Sequence, residues 1–200
     1  MEAKEKEILR ELISGNKCQF IIPVFQRNYD WREKDCKKLF NDFMSLAKDT
    51  KHPTRQHFLG AFVYKFNKIV ETQFIEYILI DGQQRLTSVT LMLKALYDHL
   101  ASYGDKYEEL RQEINETYLI NKFAKSSSYK LKLKPNEVDN DNYIKLIENE
   151  SGIDTTSTIF RNYASFLSWI EVMDVSVEDF YRALQRLEGV GVQLDDTDNP

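Results

Sequence analysis

Residues 81–85 read Asp-Gly-Gln-Gln-Arg, which puts a carboxylate, a residue without a Cβ, two carboxamides and a guanidinium in five successive positions. Two hydroxyls, Thr87 and Ser88, follow within one helical turn. These types suit an anion that also carries a sugar or a base. Arg85 is a permanent forked donor for phosphate or carboxylate. Gln83 and Gln84 can each donate and accept. Gly82 allows a tight turn and lets a ligand approach the backbone, and Asp81 could hold a ribose, a Mg²⁺ ion or a water. The pattern is neither a P-loop nor a dinucleotide fingerprint, because it has one glycine and no Gly-Lys-Ser/Thr.

The flanking residues must position this group. Tyr77–Ile80 reads as a strand and Leu86 onward as a helix, with Leu86, Val89, Leu93, Leu96 and Leu100 as its stripe. The polar joint then lies at a helix N-terminus, where unpaired N–H groups and the helix dipole favour anions. The bland alternative is that Asp81 caps the helix, Gly82 shapes the turn and Arg85 pairs with a neighbouring acid. The joint alone leaves both readings open. A second cluster, "PVFQRNYDW" at residues 23–31, brings Gln26 and Arg27 next to Pro23, flanked by aromatics. Arg27 suits phosphate and the rings suit stacking on a base, while Arg27 also suits an ion pair and the rings a core, which is the commoner role for Phe25, Tyr29 and Trp31.

The 200 residues are 42% hydrophobic and 30% charged, as in a soluble chain of one or two domains. Residues 1–100 carry 16 Lys and Arg against 13 Asp and Glu, and residues 101–200 carry 11 against 19, so an anionic ligand is expected on the first half. The N-terminus has neither the basic start nor the apolar run of a signal peptide, and no stretch is long enough to span a membrane. Cys18 and Cys36 lack metal or disulfide spacing, so a reduced, cytoplasmic protein is expected. His57 and His99 read as structural, His52 lies in a polar loop, no two of them share a metal-ligand spacing, and no metal site is assigned.

Composition and pattern predict a helix over Glu2–Ile13, a strand up to Ile22, and a helix from Asp30 to Asp49 with Asp30 and Glu33 as a loose capping box. Two strands, "HFLGAFVYKF" and "ETQFIEYILI", are expected as a hairpin turning at Asn67-Lys68, with Gly60 marking a bulge or a close backbone approach. Beyond Gly104 come helices over Asp105–Asn121, Asn140–Asn149, Thr156–Glu171 and Val177–Leu187. A short strand lies within "SSSYKLKLKP", and a tail strand over Val190–Leu194 is expected to pair back onto the front sheet. The pattern is α+β, with domains expected over 1–104 and 105–200.

Taken together, "IPVFQRNYDW", "HFLGAFV" and "ILIDGQQRLTSVTLML", in this order and spacing, resemble the N-terminal domain of GmrSD-type restriction endonucleases. "YKLKLKPNEVDNDNYIKLI" and "RNYASFL" extend the resemblance over nearly the whole chain. It implies a ParB/sulfiredoxin-like fold, a small mixed sheet with helices followed by a helical region. It also implies a prokaryotic, phage-defence domain that binds and hydrolyses a nucleoside triphosphate (GTP, ATP or CTP, with Mg²⁺) and gates a nuclease domain or subunit acting on foreign or modified DNA. Asp81, Gln84 and Arg85 would be the catalytic residues, and Gln26, Arg27, Gly82, Gln83, Thr87 and Ser88 would bind the nucleotide. Family members continue into a Phe-Glu…Leu-Asn segment and many into a His-Asn-His nuclease. This chain stops at Pro200 before either, so a piece of a longer protein is expected. Two rival classes stand beside this reading: a DNA-binding module without nucleotide chemistry, and a structural adaptor for a nuclease subunit.

Overall fold

The computed structural model describes residues 2–8, 18–52, 54–70 and 74–194. Six strands are β1 (Glu2–Ile8), β2 (Cys18–Ile21), β3 (His57–Val70), β4 (Phe74–Asp81), β5 (Leu133–Lys134) and β6 (Leu187–Leu194). They form one mixed sheet in the order β1-β6-β3-β4-β2-β5. The helices are α1 (Glu33–Lys48), α2 (Gln83–Ala101), α3 (Glu108–Ile114), α4 (Glu137–Glu148), α5 (Thr158–Glu171) and α6 (Val177–Gln185). Short 3₁₀ turns stand at Gly104–Tyr107 and Ser127–Tyr129, and a π turn at Asn115–Leu119. The architecture is α+β, as expected.

The tail strand pairs back onto the front sheet: β6 runs parallel to β3 from His57↔Leu187 to Lys65↔Leu194. On its other side β6 takes β1 antiparallel, from Glu2↔Gln193 to Ile8↔Glu188. Glu2–Ile8 is therefore strand where composition predicted helix, and residues 9–13 of that prediction fall outside the described residues. The residue preferences at issue amount to about 1 kcal/mol or less each, so a neighbouring strand edge that offers ladder partners on both sides of the register shift between Ala3 and Lys6 overrides them.

Two further local expectations are corrected. Asn67 and Lys68 lie inside β3 rather than in a turn, and the connection to β4 falls at residues 71–73, outside the described residues. The strand continues through them because Glu76 on β4 is buried and needs partners. Asn67 donates a hydrogen bond to its carboxylate, and Lys68 Nζ stands 3.5 Å from it. Likewise α1 starts at Glu33, not Asp30, and the reaching-back carboxylate is that of Asp35, which accepts from Arg32 N–H at 3.1 Å. Asp30 is drawn away because its backbone N–H is used elsewhere, as described below.

Helix α2 is buried on most of its surface, with Leu86, Val89, Leu91, Met92, Leu93, Ala95, Leu96 and Leu100 all at 1% exposure or less. It packs against α5, and α1 packs against α6. Side-chain caps start the later helices: Asn136 accepts from Asp139 N–H, Ser157 from Phe160 N–H and Ser176 from Asp179 N–H. The sheet draws on both sides of Gly104. One buried cluster joins Phe20, Leu79 and Leu86 from before it to Phe166, Phe180 and Leu187 from after it.

A core shared in this way is expected to unfold as one unit. Phe166→Ala, at a fully buried position, is expected to cost about 3–5 kcal/mol and to shift a single urea transition seen alike by circular dichroism and tryptophan fluorescence. A second transition left at the wild-type midpoint would show that the two sides of Gly104 unfold separately.

Candidate functional site

The joint between β4 and α2 is built on two glycines. Gly82 has φ +96°, a conformation that costs other residues strain, and a Cβ there would stand 2.5 Å from Phe62 Cδ1. Its carbonyl accepts from Leu86 N–H at 2.9 Å, so α2 begins at Gln83, one turn earlier than the apolar period indicated. The second glycine, Gly60, has φ +110° and sits where the β3–β6 register shifts. A Cβ on it would collide with Arg85 Nη1.

That gap is how Arg85 reaches the sheet. Its Nη1 donates to Leu59 O and its Nη2 to Ala61 O, each at 2.8 Å, and Nη2 also approaches Asp81 Oδ2 at 3.3 Å. The guanidinium carbon lies 5.2 Å from the centre of the Phe62 ring. Arg85 thus holds the bulged backbone of β3 against the start of α2. Asp81 itself is open to solvent, its side chain 67% exposed.

The two glutamines have different fates. Gln84 is 6% exposed and both ends of its amide are engaged: Oε1 accepts from Asp30 N–H at 2.9 Å and Nε2 donates to Asn28 O at 3.0 Å. Gln26 returns the contact, its Nε2 donating to Ile80 O at 3.0 Å. The segments 23–31 and 81–85 therefore brace each other. Gln83 is 7% exposed and Thr87 1% exposed, and among the described residues neither Gln83 Oε1 nor Thr87 Oγ1 has a hydrogen-bond partner. Four residues apart on α2, they share one face of the helix.

Arg27 projects outward, with Asp30 Oδ2 3.4 Å away, and Val24 and Phe25 beside it are exposed, so Phe25 is not the core residue expected. Tyr29 is buried, as a core residue, and Trp31 is half-buried against the core. Ser88 stands apart from the joint's surface: it is fully buried, donates to Gln84 O at 2.8 Å and shares a 2.7 Å hydrogen bond with Tyr29 OH. Burial pushes the Tyr29 phenol well above its usual range, so it stays protonated.

Residues that the motif reading did not single out complete the brace. Asn136 Nδ2 donates to Asn28 Oδ1 at 2.9 Å and Gln26 O at 3.3 Å. Asp139 accepts from Tyr29 N–H at 2.6 Å, with its carboxyl raised by burial. Asn162 Nδ2 donates to Tyr29 OH at 3.1 Å and Trp31 O at 2.8 Å. The Asn136-to-Asp139 spacing carried a cap signal, whereas Asn162 had none.

The family described as GmrSD restriction endonuclease, N-terminal domain, matches over residues 9–200. The chain belongs to that family. No curated protein matches it. Within this GmrSD-family domain, no helix among the described residues is long and apolar enough to cross a membrane.

The two glutamines predict opposite mutational behaviour. Gln84→Leu leaves Asp30 N–H and Asn28 O without partners and is expected to lower stability by about 1–3 kcal/mol. Gln83→Leu removes a buried oxygen that has no partner and is expected to be neutral or stabilising. Urea midpoints of the two variants beside the wild type check this, and equal losses would show that the amides are not differently employed.

Proposed function

We propose that this domain binds a nucleoside triphosphate at the β4–α2 joint and, through it, regulates an endonuclease acting on foreign or modified DNA in the prokaryotic cytoplasm. The observation that carries the reading is the pair of buried, unpartnered acceptors, Gln83 Oε1 and Thr87 Oγ1, on the first two turns of a 19-residue helix. A fold that keeps such groups without partners forgoes stability unless a ligand engages them.

The first-turn N–H groups of Gln83, Gln84 and Arg85 have no intrahelical acceptor and offer an anion site at the positive end of the dipole. Arg27, exposed on the facing segment, would add a forked donor to a phosphate. Gln83 is the glutamine whose carboxamide oxygen is free to accept from an attacking water or a sugar hydroxyl, because Gln84 is engaged at both ends. Arg85 would act by holding the joint and by its fixed charge beneath it. Mg²⁺, arriving with the nucleotide, would neutralise charge on the phosphates, and the exposed Asp81 carboxylate fits a role in holding it. Family membership supports the setting, in which a nuclease domain or subunit and DNA are the partners.

Calorimetric titration with GTP, ATP and CTP in the presence of Mg²⁺ tests the reading. At least one is expected to bind, and Gln83→Leu to weaken it about tenfold, the equivalent of one lost hydrogen bond to a buried group, without lowering the unfolding temperature. Failure of all three to bind the folded protein refutes the proposal.

A further inference from the structure

A cavity of about 290 Å³ lies away from the β4–α2 joint, lined by Gln19 of β2, Ser127 and Ser128 of the 3₁₀ turn, Lys134 of β5, and Asn140 and Glu148 of α4, with Leu131 and Ile144 as its apolar part. Asn140, Ile144 and Glu148 recur every four residues and so present one face of α4 to it.

Gln19 is 1% exposed. Its Nε2 donates to Leu131 O at 2.8 Å and to Ser128 O at 3.0 Å, and only the nitrogen end of the amide can make those bonds. The other end is therefore the oxygen, and Gln19 Oε1 is buried with no donor. Asn140 Oδ1, from the opposite element, is in the same condition. One cavity is thus lined by two residues whose neutral carboxamide oxygens have no donor among the described residues.

Charge narrows the ligand class. Glu148 is matched by Lys130 at 2.6 Å, and among the described residues the Lys134 ammonium at the cavity has no ion-pair partner. A guanidinium or ammonium ligand is disfavoured there, so the two donors must come from a neutral group. Leu131 and Ile144 suit the faces of a flat ring. Among nucleobases, guanine presents two N–H groups side by side, on N1 and the exocyclic N2, next to a carbonyl that Lys134 or a serine hydroxyl can meet. Adenine and cytosine set their single amine beside an acceptor, which would face an acceptor here.

We propose that this cavity is a second binding site, for a guanine base, whose N1–H and N2–H₂ donate to Gln19 Oε1 and Asn140 Oδ1. The base can come from a free nucleoside or from a nucleic-acid strand. The site does not rest on the nucleotide reading of the β4–α2 joint.

Calorimetry with guanosine, inosine, adenosine and a short single-stranded DNA containing one guanine tests this. Guanosine, the strand or both are expected to bind. Inosine, or a strand with hypoxanthine in place of guanine, lacks the exocyclic amine and is expected to bind about tenfold more weakly, one hydrogen bond to a buried acceptor being lost. Binding of guanosine without the strand assigns the site to a free ligand, and the reverse assigns it to nucleic acid. Asn140→Leu and, independently, the cavity-filling Ile144→Trp are expected to abolish binding, with thermal unfolding checked for each, while Gln83→Leu leaves it unchanged. If neither guanosine nor the strand binds better than its adenine counterpart, or if binding survives both cavity variants, the cavity holds only water and the proposal is overturned.

Discussion

The arginine at the start of α2 fixes the relation between helix and sheet. Arg85 spreads its guanidinium over the carbonyls of Leu59 and Ala61, and it gets there because Gly60 has no side chain. Those carbonyls belong to a bulged stretch whose regular pairing is interrupted, so without a cation they would lack full satisfaction in a half-buried place. The contact anchors the first turn of α2 to the bulge in β3. Phe62, below the same joint, touches the space that a Cβ on Gly82 would need, which leaves the turn from β4 into α2 little choice of path.

Onto this anchored joint the segment 23–31 is fastened by side-chain-to-backbone bonds rather than by regular structure. Gln84 serves the N–H of Asp30 and the carbonyl of Asn28, Gln26 serves the carbonyl of Ile80, and Asn136, Asp139 and Asn162 hold the segment from α4 and α5. An irregular segment has no ladder of its own to satisfy its backbone, so these amides and carboxylates take that part. The result is a rigid edge that keeps Arg27, Val24 and Phe25 facing water. Most of the motif's polarity is spent on building that edge. Gln83, Thr87, Arg27 and Asp81 are the parts turned toward a ligand in the function proposed above.

Much of the architecture could be read from pattern. The stripe of α2, the α1 stripe through Cys36, Leu39, Phe40 and Phe43, the bulge at Gly60 and the return of the tail strand all follow from periodicity or from a glycine out of place. The misreadings share a cause. Glu2–Ile8 became strand, Asn67-Lys68 stayed in strand and α1 took Asp35 for its first turn because a partner on another element, β6, Glu76 or Gln84, was there to be met. Local preference differs by fractions of a kcal/mol, and one buried hydrogen bond outweighs it.

The same division runs through the site. The amino-acid sequence by itself determined that a glycine-shaped turn would lead into a buried helix with polar groups at its N-terminus, because turn chemistry and apolar period are local properties. Only the tertiary structure decided which glutamine is consumed and which is left over, whether Arg85 faces a ligand or the sheet, and that Gln19 and Asn140, 121 positions apart, border one cavity. Hydrogen-bond satisfaction is a property of what surrounds a group, and a linear chain does not state its surroundings.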